Sequence, residues 1–178
     1  MEAKPVKIEL KILYGELGKE YWKYYNPLER KFEESVGAGE VIPGRGYLER
    51  KSRVNIVALS EGKPAGIIRL DLLNQPPRIG WLYVESEFRN KVAAVVNTPW
   101  LKSEEEYKVR QHLVKAAWIT GRRAGFEEIG SVIHEEAGQK SREWRLTQMP
   151  KWEREVGELH EPKELLELIR RKQELVKR

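Results

Sequence analysis

Two carboxylates, a tyrosine and two basic side chains lie around the end of one predicted strand. Tyr83 belongs to the strand, and Glu85 and Glu87 follow it directly. Arg89 and Lys91 come next. A carboxylate can take up a proton as a general base, and basic side chains form charge-assisted hydrogen bonds with anions. Glutamate is also the commonest acid of the chain, so a surface role for the two carboxylates stays open.

The sequence excludes several other kinds of catalytic or metal site. It contains no cysteine, which rules out disulfides, thiol nucleophiles and iron–sulfur clusters. His112, His134 and His160 are too scattered to indicate a metal site. Ser131 lacks the G-x-S-x-G setting of a hydrolase nucleophile. The glycine-rich residues 37–46 lack the Gly-Lys-Ser/Thr ending of a P-loop and are predicted to form a loop.

A cluster of lysines and aromatic residues at 19–25 leaves a nucleic-acid alternative open. Aromatic rings near basic side chains can stack on bases and bind phosphates, and the net charge of the chain is +5. The same spacing also fits a helix that buries Leu17, Tyr21 and Tyr24 while the lysine stems lie along its sides. We favour the helix, because the excess charge is modest and spread along the chain.

Strands and helices must position these residues, and their order predicts an α+β fold. Alternating apolar and charged residues, or β-branched apolar runs between turn residues, predict strands at 6–13, 54–59, 65–73, 79–84, 128–133 and 152–159. Helices are expected at 16–25, 27–36, 140–148 and 162–178. The clearest helix is capped by Ser103 with Glu106 and ends before Gly125.

Residues 84–94 read V-E-S-E-F-R-N-K-V-A-A, which is a valine ending a strand, an acidic turn, an aromatic residue and a basic loop. The residues that carry this pattern are Val84, Glu85, Glu87, Phe88, Arg89 and Lys91. In this pattern the chain resembles the GNAT superfamily of acyl-CoA-dependent N-acyltransferases. The resemblance implies a mixed, mostly antiparallel sheet flanked by helices, here with an extra C-terminal helix. It also implies transfer of an acetyl or other acyl group from acyl-CoA to an amine.

The resemblance further implies which residues form the site. The family's fourth strand hydrogen-bonds the pantetheine arm, and the loop after it wraps the pyrophosphate. The residues implied to bind acetyl-CoA or another acyl-CoA are Leu82, Tyr83, Val84, Arg89, Asn90, Lys91, Val92, Ala93 and Ala94. Glu85 or Glu87 would take the proton of the acceptor amine. The family's tyrosine that protonates the leaving thiolate is missing from the corresponding residues 139–149. Tyr83 or Tyr107 would take its place, and packing of each ring in the core is the alternative.

The loop departs from the family pattern. Asn90, Val92 and Ala94 replace glycines, and an insertion separates Ala94 from the predicted helix start at Ser103. Glycines let backbone N–H groups approach a pyrophosphate closely, and the following helix adds its own free N–H groups. Two alternatives to an enzyme therefore stay open. One is a non-catalytic GNAT-fold binding or scaffold protein with a degraded CoA loop, and the other is a small basic nucleic-acid-binding protein.

Length and composition favour one cytoplasmic domain. The resemblance implies that its partner is an amine-bearing acceptor, either a small molecule or a protein. The 178 residues fit a single domain, of which 162–178 would be a C-terminal helical extension able to dock on a second subunit. No apolar run reaches the roughly 18–20 residues of a membrane span, and residues 1–7 lack the apolar core of a secretory signal. Asp71 is the only aspartate, and richness in Glu, Lys and Arg is typical of thermophiles.

Overall fold

The structure, a computed structural model, describes residues 4–14, 53–72, 77–101, 106–133, 142–146, 150–157 and 167. The two helices predicted at 16–25 and 27–36, and the glycine-rich loop after them, lie outside these residues. Of the predicted C-terminal helix, 162–178, the structure describes only Glu167, which is helical.

The described residues form one mixed sheet with a long helix on one face. The strands are β1 Val6–Tyr14, β2 Arg53–Ser60, β3 Lys63–Asp71, β4 Arg78–Val84, β5 Val92–Val95, β6 Tyr107–Lys108, β7 Ile129–Ile133 and β8 Arg142–Leu146. The helices are α1 Val109–Arg123 and the short α2 Pro150–Glu153, and a 3-10 turn spans Ser86–Phe88. The strand order is β6-β5-β1-β2-β3-β4-β7-β8, and only the β1–β5 and β4–β7 pairs are parallel. The expected α+β fold with a mostly antiparallel sheet is confirmed.

The apolar pattern explains the central strands. In β1, Ile8 and Leu10 are buried whereas Lys7 and Glu9 are exposed, as the period of two predicts. Strands β2 and β3 occupy the middle of the sheet, and every residue from Val54 to Ser60 is buried. The predicted turn between them is present, with Glu61 and Gly62 both at positive φ. One face of β2 and β3 packs against α1.

Helix α1 begins later than its sequence indicates. It starts at Val109 rather than after Ser103, because Tyr107 and Lys108 instead pair with β5 as the short strand β6. The side-chain oxygen of Gln111 accepts a hydrogen bond from the Lys108 N–H at 3.0 Å and so caps the first turn. The predicted end is confirmed, since Gly125 follows the helix at a φ of 90°.

Residues 96–101, within the insertion, close the outer edge of β1 with side chains. Beyond the last pair of β5 with β1, the Leu10 N–H donates to the Thr98 hydroxyl at 3.0 Å, and the Trp100 indole donates to the Leu10 carbonyl at 3.2 Å. Thr98 in turn donates to the Val96 carbonyl at 2.9 Å. The insertion thus satisfies backbone groups of β1 that would otherwise lie at an open sheet edge.

Two short elements differ from their predictions. Residues 142–146 form the strand β8 instead of a helix, because they pair along β7 over five positions from Ile129 to Ile133. Residues 150–153 form the helical turn α2, which includes the first two residues of the strand predicted at 152–159. Pro150 is the first residue of that turn, a position where its missing N–H costs nothing. In both places tertiary pairing or turn chemistry outweighs the local apolar pattern.

Candidate functional site

The parallel strands β4 and β7 separate after two paired positions. Arg78 pairs with Gly130 and Ile79 with Ser131, and no later pair joins the two strands within the described residues. The rest of β4, from Gly80 to Val84, therefore leaves the side of β7. A strand edge that diverges from its parallel neighbour offers backbone N–H and C=O groups to a bound molecule. This opening is called the β4–β7 cleft below.

A bulge in β4 accounts for the separation. Arg69 of β3 pairs with Trp81 and Leu70 pairs with Ile79, so Gly80 is an extra residue without a partner position on β3. A bulge bends the strand that carries it and increases its local twist. Because the bulge directly follows the last β4–β7 pair, it turns the remainder of β4 away from β7. Glycine inside a strand is a typical marker of such a bulge.

Helix α1 lies with its first turns against the end of β4. A Cβ atom on Gly66, which pairs with Val84, would lie 2.9 Å from the carbonyl oxygen of Tyr83 and 3.1 Å from Cδ1 of Leu113. The glycine therefore allows the helix to approach the β3–β4 pair closely. Although α1 begins 25 positions after Val84, it returns in space to the strand end that a GNAT cofactor site would require.

The turn after β4 gathers most of the predicted site residues. The Glu85 N–H donates to the Ala65 carbonyl at 2.8 Å, and the Phe88 N–H donates to the Glu85 carbonyl at 2.9 Å. Phe88 is buried in the core and anchors the turn. Glu85 is half-buried, whereas Glu87 and Asn90 are exposed. The turn therefore holds one partly enclosed carboxylate beside the end of β4.

The basic residues of the turn are stacked on its aromatic rings. Arg89 donates from Nε to the Val84 carbonyl at 2.9 Å, and its guanidinium carbon lies 5.7 Å from the centre of the Tyr83 ring. The Lys91 ammonium lies 5.8 Å from the centre of the Phe88 ring. Cation–π contacts of this kind hold a basic side chain in place while leaving it exposed. Two cationic groups thus flank the end of β4.

Val92, Ala93 and Ala94 do not lie with the rest of the predicted loop. They form most of β5, where Ala93 is flanked by Val6 of β1 on one side and Tyr107 of β6 on the other. Ala93 is fully buried, and His112 of α1 lies with Nε2 2.6 Å from its carbonyl oxygen. The structure therefore brings together residues 82–91 and directs 92–94 into the sheet. The binding and catalytic roles assigned to both groups stay predictions.

Sequence reasoning missed the basic residues at the start of α1. Lys108 pairs with Val92 and so lies next to Lys91, and Arg110 follows in the first turn of the helix. Both are exposed. The overlooked signal is the Lys108–Gln111 capping pair, which marks a helix start and places a cation there. Together with Arg89 and Lys91 these residues give the site a positive surface, the sign that suits a phosphorylated ligand.

Within the described residues, no group of three or more histidine, aspartate or glutamate side chains is arranged to hold a metal ion. No helix in the same part of the chain is long and apolar enough to cross a membrane.

Comparisons with known proteins find similarity at the level of structure. No protein-family model and no curated protein matches the sequence. One similar solved structure is an aminoglycoside acetyltransferase from an uncultured soil metagenomic sample in complex with trehalose, at 18% identity over 70% of this chain and 76% of that one, with a TM-score of 0.44. Another is the PaiA N-acetyltransferase from Thermoplasma acidophilum in complex with coenzyme A, at 13% identity over 68% and 77% of the two chains, with a TM-score of 0.44.

The described sheet is mixed and mostly antiparallel, as the sequence resemblance implies. An antiparallel β1-β2-β3-β4 meander is followed by a helix that crosses to the parallel strand β7, and β4 and β7 separate at the site. The described residues therefore have an α+β fold of the kind that the sequence resemblance implies.

Proposed function

We propose that the protein is an N-acyltransferase that moves an acetyl or other acyl group from acyl-CoA to an amine. The observation that carries the proposal is the β4–β7 cleft, which opens at Gly80 and follows β4 to Val84, where the basic turn and the start of α1 lie. The backbone of Leu82–Val84 suits an amide-bearing arm such as pantetheine. Arg89, Lys91 and the first N–H groups of α1 suit the phosphates.

The chain's own residues supply what acyl transfer requires. The attacking amine must be neutral, and Glu85, the partly enclosed carboxylate, is the better candidate than exposed Glu87 to accept its proton. The leaving thiolate needs a proton donor, and the Tyr83 hydroxyl is the candidate on β4. Arg89 holds the end of β4 through the Val84 carbonyl and stacks on the Tyr83 ring, so it would also fix that ring's position.

A second candidate is a non-catalytic GNAT-fold protein that binds a ligand in the same cleft. The observation that favours it is the burial of Ala93 between β1 and β6. Val92, Ala93 and Ala94 belong to the sheet, so a phosphate group would depend on residues 85–91 and on α1 alone. Weak cofactor binding without turnover would be the result.

Calorimetric titration with acetyl-CoA separates these candidates. We expect saturable binding that weakens about tenfold in Lys91→Met, because loss of one charge-assisted hydrogen bond costs about 1.5 kcal/mol. Lys63→Met, at the exposed first residue of β3, is the matched control and should bind as the wild type does. Release of free CoA thiol on adding an amine panel would support the enzyme.

Binding without thiol release from any amine would favour the non-catalytic protein instead. Absence of heat at millimolar acetyl-CoA would rule out the enzyme and leave a non-catalytic protein with a degraded CoA loop. Salt-sensitive retention of DNA or RNA by the same preparation would then support the nucleic-acid alternative.

A further inference from the structure

Asn55, in the middle of β2, has a buried side chain without hydrogen bonds. Its exposed fraction is 0%, and neither Nδ2 nor Oδ1 has a partner within the described part of the chain. Nearly all buried polar side-chain atoms in proteins have a partner, so each exception calls for an explanation. An apolar residue of similar size would avoid the cost of this burial. A group kept at such a cost is a candidate for ligand recognition.

Asn55 lies on the sheet face opposite α1. Its neighbours along β2, Val54 and Ile56, belong to the core cluster under the helix, and side chains alternate between the faces of a strand. Directly across from Asn55 on β3 is Arg69. Cross-strand partners in an antiparallel pair have Cβ atoms about 5 Å apart. An amide and a guanidinium therefore stand side by side on this face.

The same row of residues leads to the β4–β7 cleft. Arg69 pairs on its other side with Trp81, the residue that directly follows the bulged Gly80. The backbone of Asn55 is thus two strand spacings, about 10 Å, from the point where β4 leaves β7. A molecule held at Asn55 and Arg69 can reach the cleft with a group several bonds away.

We infer that Asn55 and Arg69 recognise the carboxylate of the acceptor, and that the acceptor is a small amine carrying a carboxylate several bonds from its reacting nitrogen. The guanidinium supplies the opposite charge, Nδ2 of Asn55 donates to a carboxylate oxygen, and Oδ1 accepts from an N–H next to it. The inference rests on the proposed function for the reaction at the cleft. Binding of the carboxylate at Asn55 and Arg69 can be tested independently of that reaction.

Lysine and cadaverine make a matched pair of probes, because cadaverine is lysine without its carboxylate. We expect the wild type to acylate lysine with a kcat/KM at least tenfold above that for cadaverine. Asn55→Leu should remove most of this preference while its acetyl-CoA dissociation constant stays within twofold. Its melting temperature should be equal or higher, because the unpartnered amide is gone. Ser60→Ala, in the same strand, is the control and should keep the preference.

A melting temperature that falls in Asn55→Leu with the preference retained would assign Asn55 a structural role and overturn the inference. If that variant does not fold, Arg69→Met is the second test, and retained preference there has the same meaning. Equal rates for lysine and cadaverine in the wild type also overturn it.

The proposed function can fail separately, through absence of acetyl-CoA binding and turnover. In that case, a lysine-dependent rise in melting temperature that cadaverine does not give, and that Asn55→Leu abolishes, would sustain the binding site. Absence of that rise would overturn the site as well.

Discussion

Single residues decide how closely α1 approaches the cleft, and Gly66 is the main one. Its missing side chain leaves room for the Tyr83 carbonyl and for Leu113 at the point where β3, β4 and the helix meet. The neighbouring obstacle is backbone, which cannot move without shifting β4. The geometry of the proposed cofactor site therefore depends on a residue that touches no ligand.

We expect Gly66→Ala to lower the free energy of unfolding by about 1–3 kcal/mol, the usual cost of overpacking. Acetyl-CoA binding should weaken as well, because the new methyl group pushes α1 from β4. Gly121→Ala is the matched control, since the nearest atom there is Cδ1 of Ile129, the end of a flexible side chain. Any destabilisation of Gly121→Ala by this contact is offset by a gain of about 1 kcal/mol, because alanine has a higher helix propensity than glycine. Urea titration of both variants measures the difference, and equal losses would contradict this account.

At the scale of elements, residues 96–101 act as a side-chain continuation of β5. Thr98 and Trp100 provide the partners of Leu10 that a longer strand would supply with backbone groups. The insertion that separates the predicted loop from α1 thus has a structural role, because its residues 98 and 100 hydrogen-bond to the backbone of β1. It leads the chain from β5 toward α1 while the N–H and the carbonyl of Leu10 keep hydrogen-bond partners.

Thr98→Val should destabilise the protein by about 1–3 kcal/mol, because the Leu10 N–H loses its partner in a buried place while the shape of the side chain is kept. Thr98→Ser retains the hydroxyl and is the control, with an expected loss below about 1.5 kcal/mol for one methyl group. Amide hydrogen exchange at Leu10 reports the effect locally. Unchanged protection of that amide in Thr98→Val would show that the hydroxyl does not hold the edge.

At the scale of the whole molecule, the end of α1 joins distant parts of the chain. Arg123 donates to the carbonyls of Val156 and Trp100, both at 2.6 Å, and so links the residues after α2 to the insertion. Nearby, the buried Lys115 forms an ion pair with Glu155. Arg122 and Arg123 lie in the last turn of α1, where their positive charges also complement the helix dipole.

The neighbouring Arg122 makes a more exposed contact. It binds Glu153 through two hydrogen bonds of 2.6 and 3.2 Å, and this side-chain hydrogen bond raises the pKa of Arg122 above its ordinary value. Because Glu153 is largely exposed, solvent screens the pair and limits its contribution to stability.

The two arginines should accordingly differ on substitution. Arg123→Met leaves backbone carbonyls of two segments without their donor and should cost about 3 kcal/mol. Arg122→Met breaks an exposed ion pair and one hydrogen bond to the Phe126 carbonyl, and should cost about 1–2 kcal/mol. Urea unfolding followed by tryptophan fluorescence gives both values. A larger loss for Arg122→Met would show that the surface pair, rather than Arg123, holds these segments together.

The sequence predicted those parts of the fold that rest on local patterns. The meander β1-β2-β3-β4 follows from apolar runs and turn residues, and the end of α1 follows from Gly125. Strands β5, β6 and β8 are short, and their extended form comes from neighbours distant in sequence. The cluster at 82–91 was visible because it is contiguous. Asn55 and Arg69 could not be recognised from the sequence. The missing hydrogen-bond partners of the Asn55 amide, and the pairing of Asn55 with Arg69 across two strands, are visible only in the folded structure.

The closure of β1 by Thr98 has a consequence for synthesis of the chain. Leu10 and Thr98 are 88 positions apart, so a ribosome completes β1 long before it makes the residues that cover this edge. Domains emerge N-terminal end first, and an uncovered strand edge can pair with another nascent chain. The exposed charges of Lys7 and Glu9 on that strand are then its protection against aggregation until residue 98 arrives.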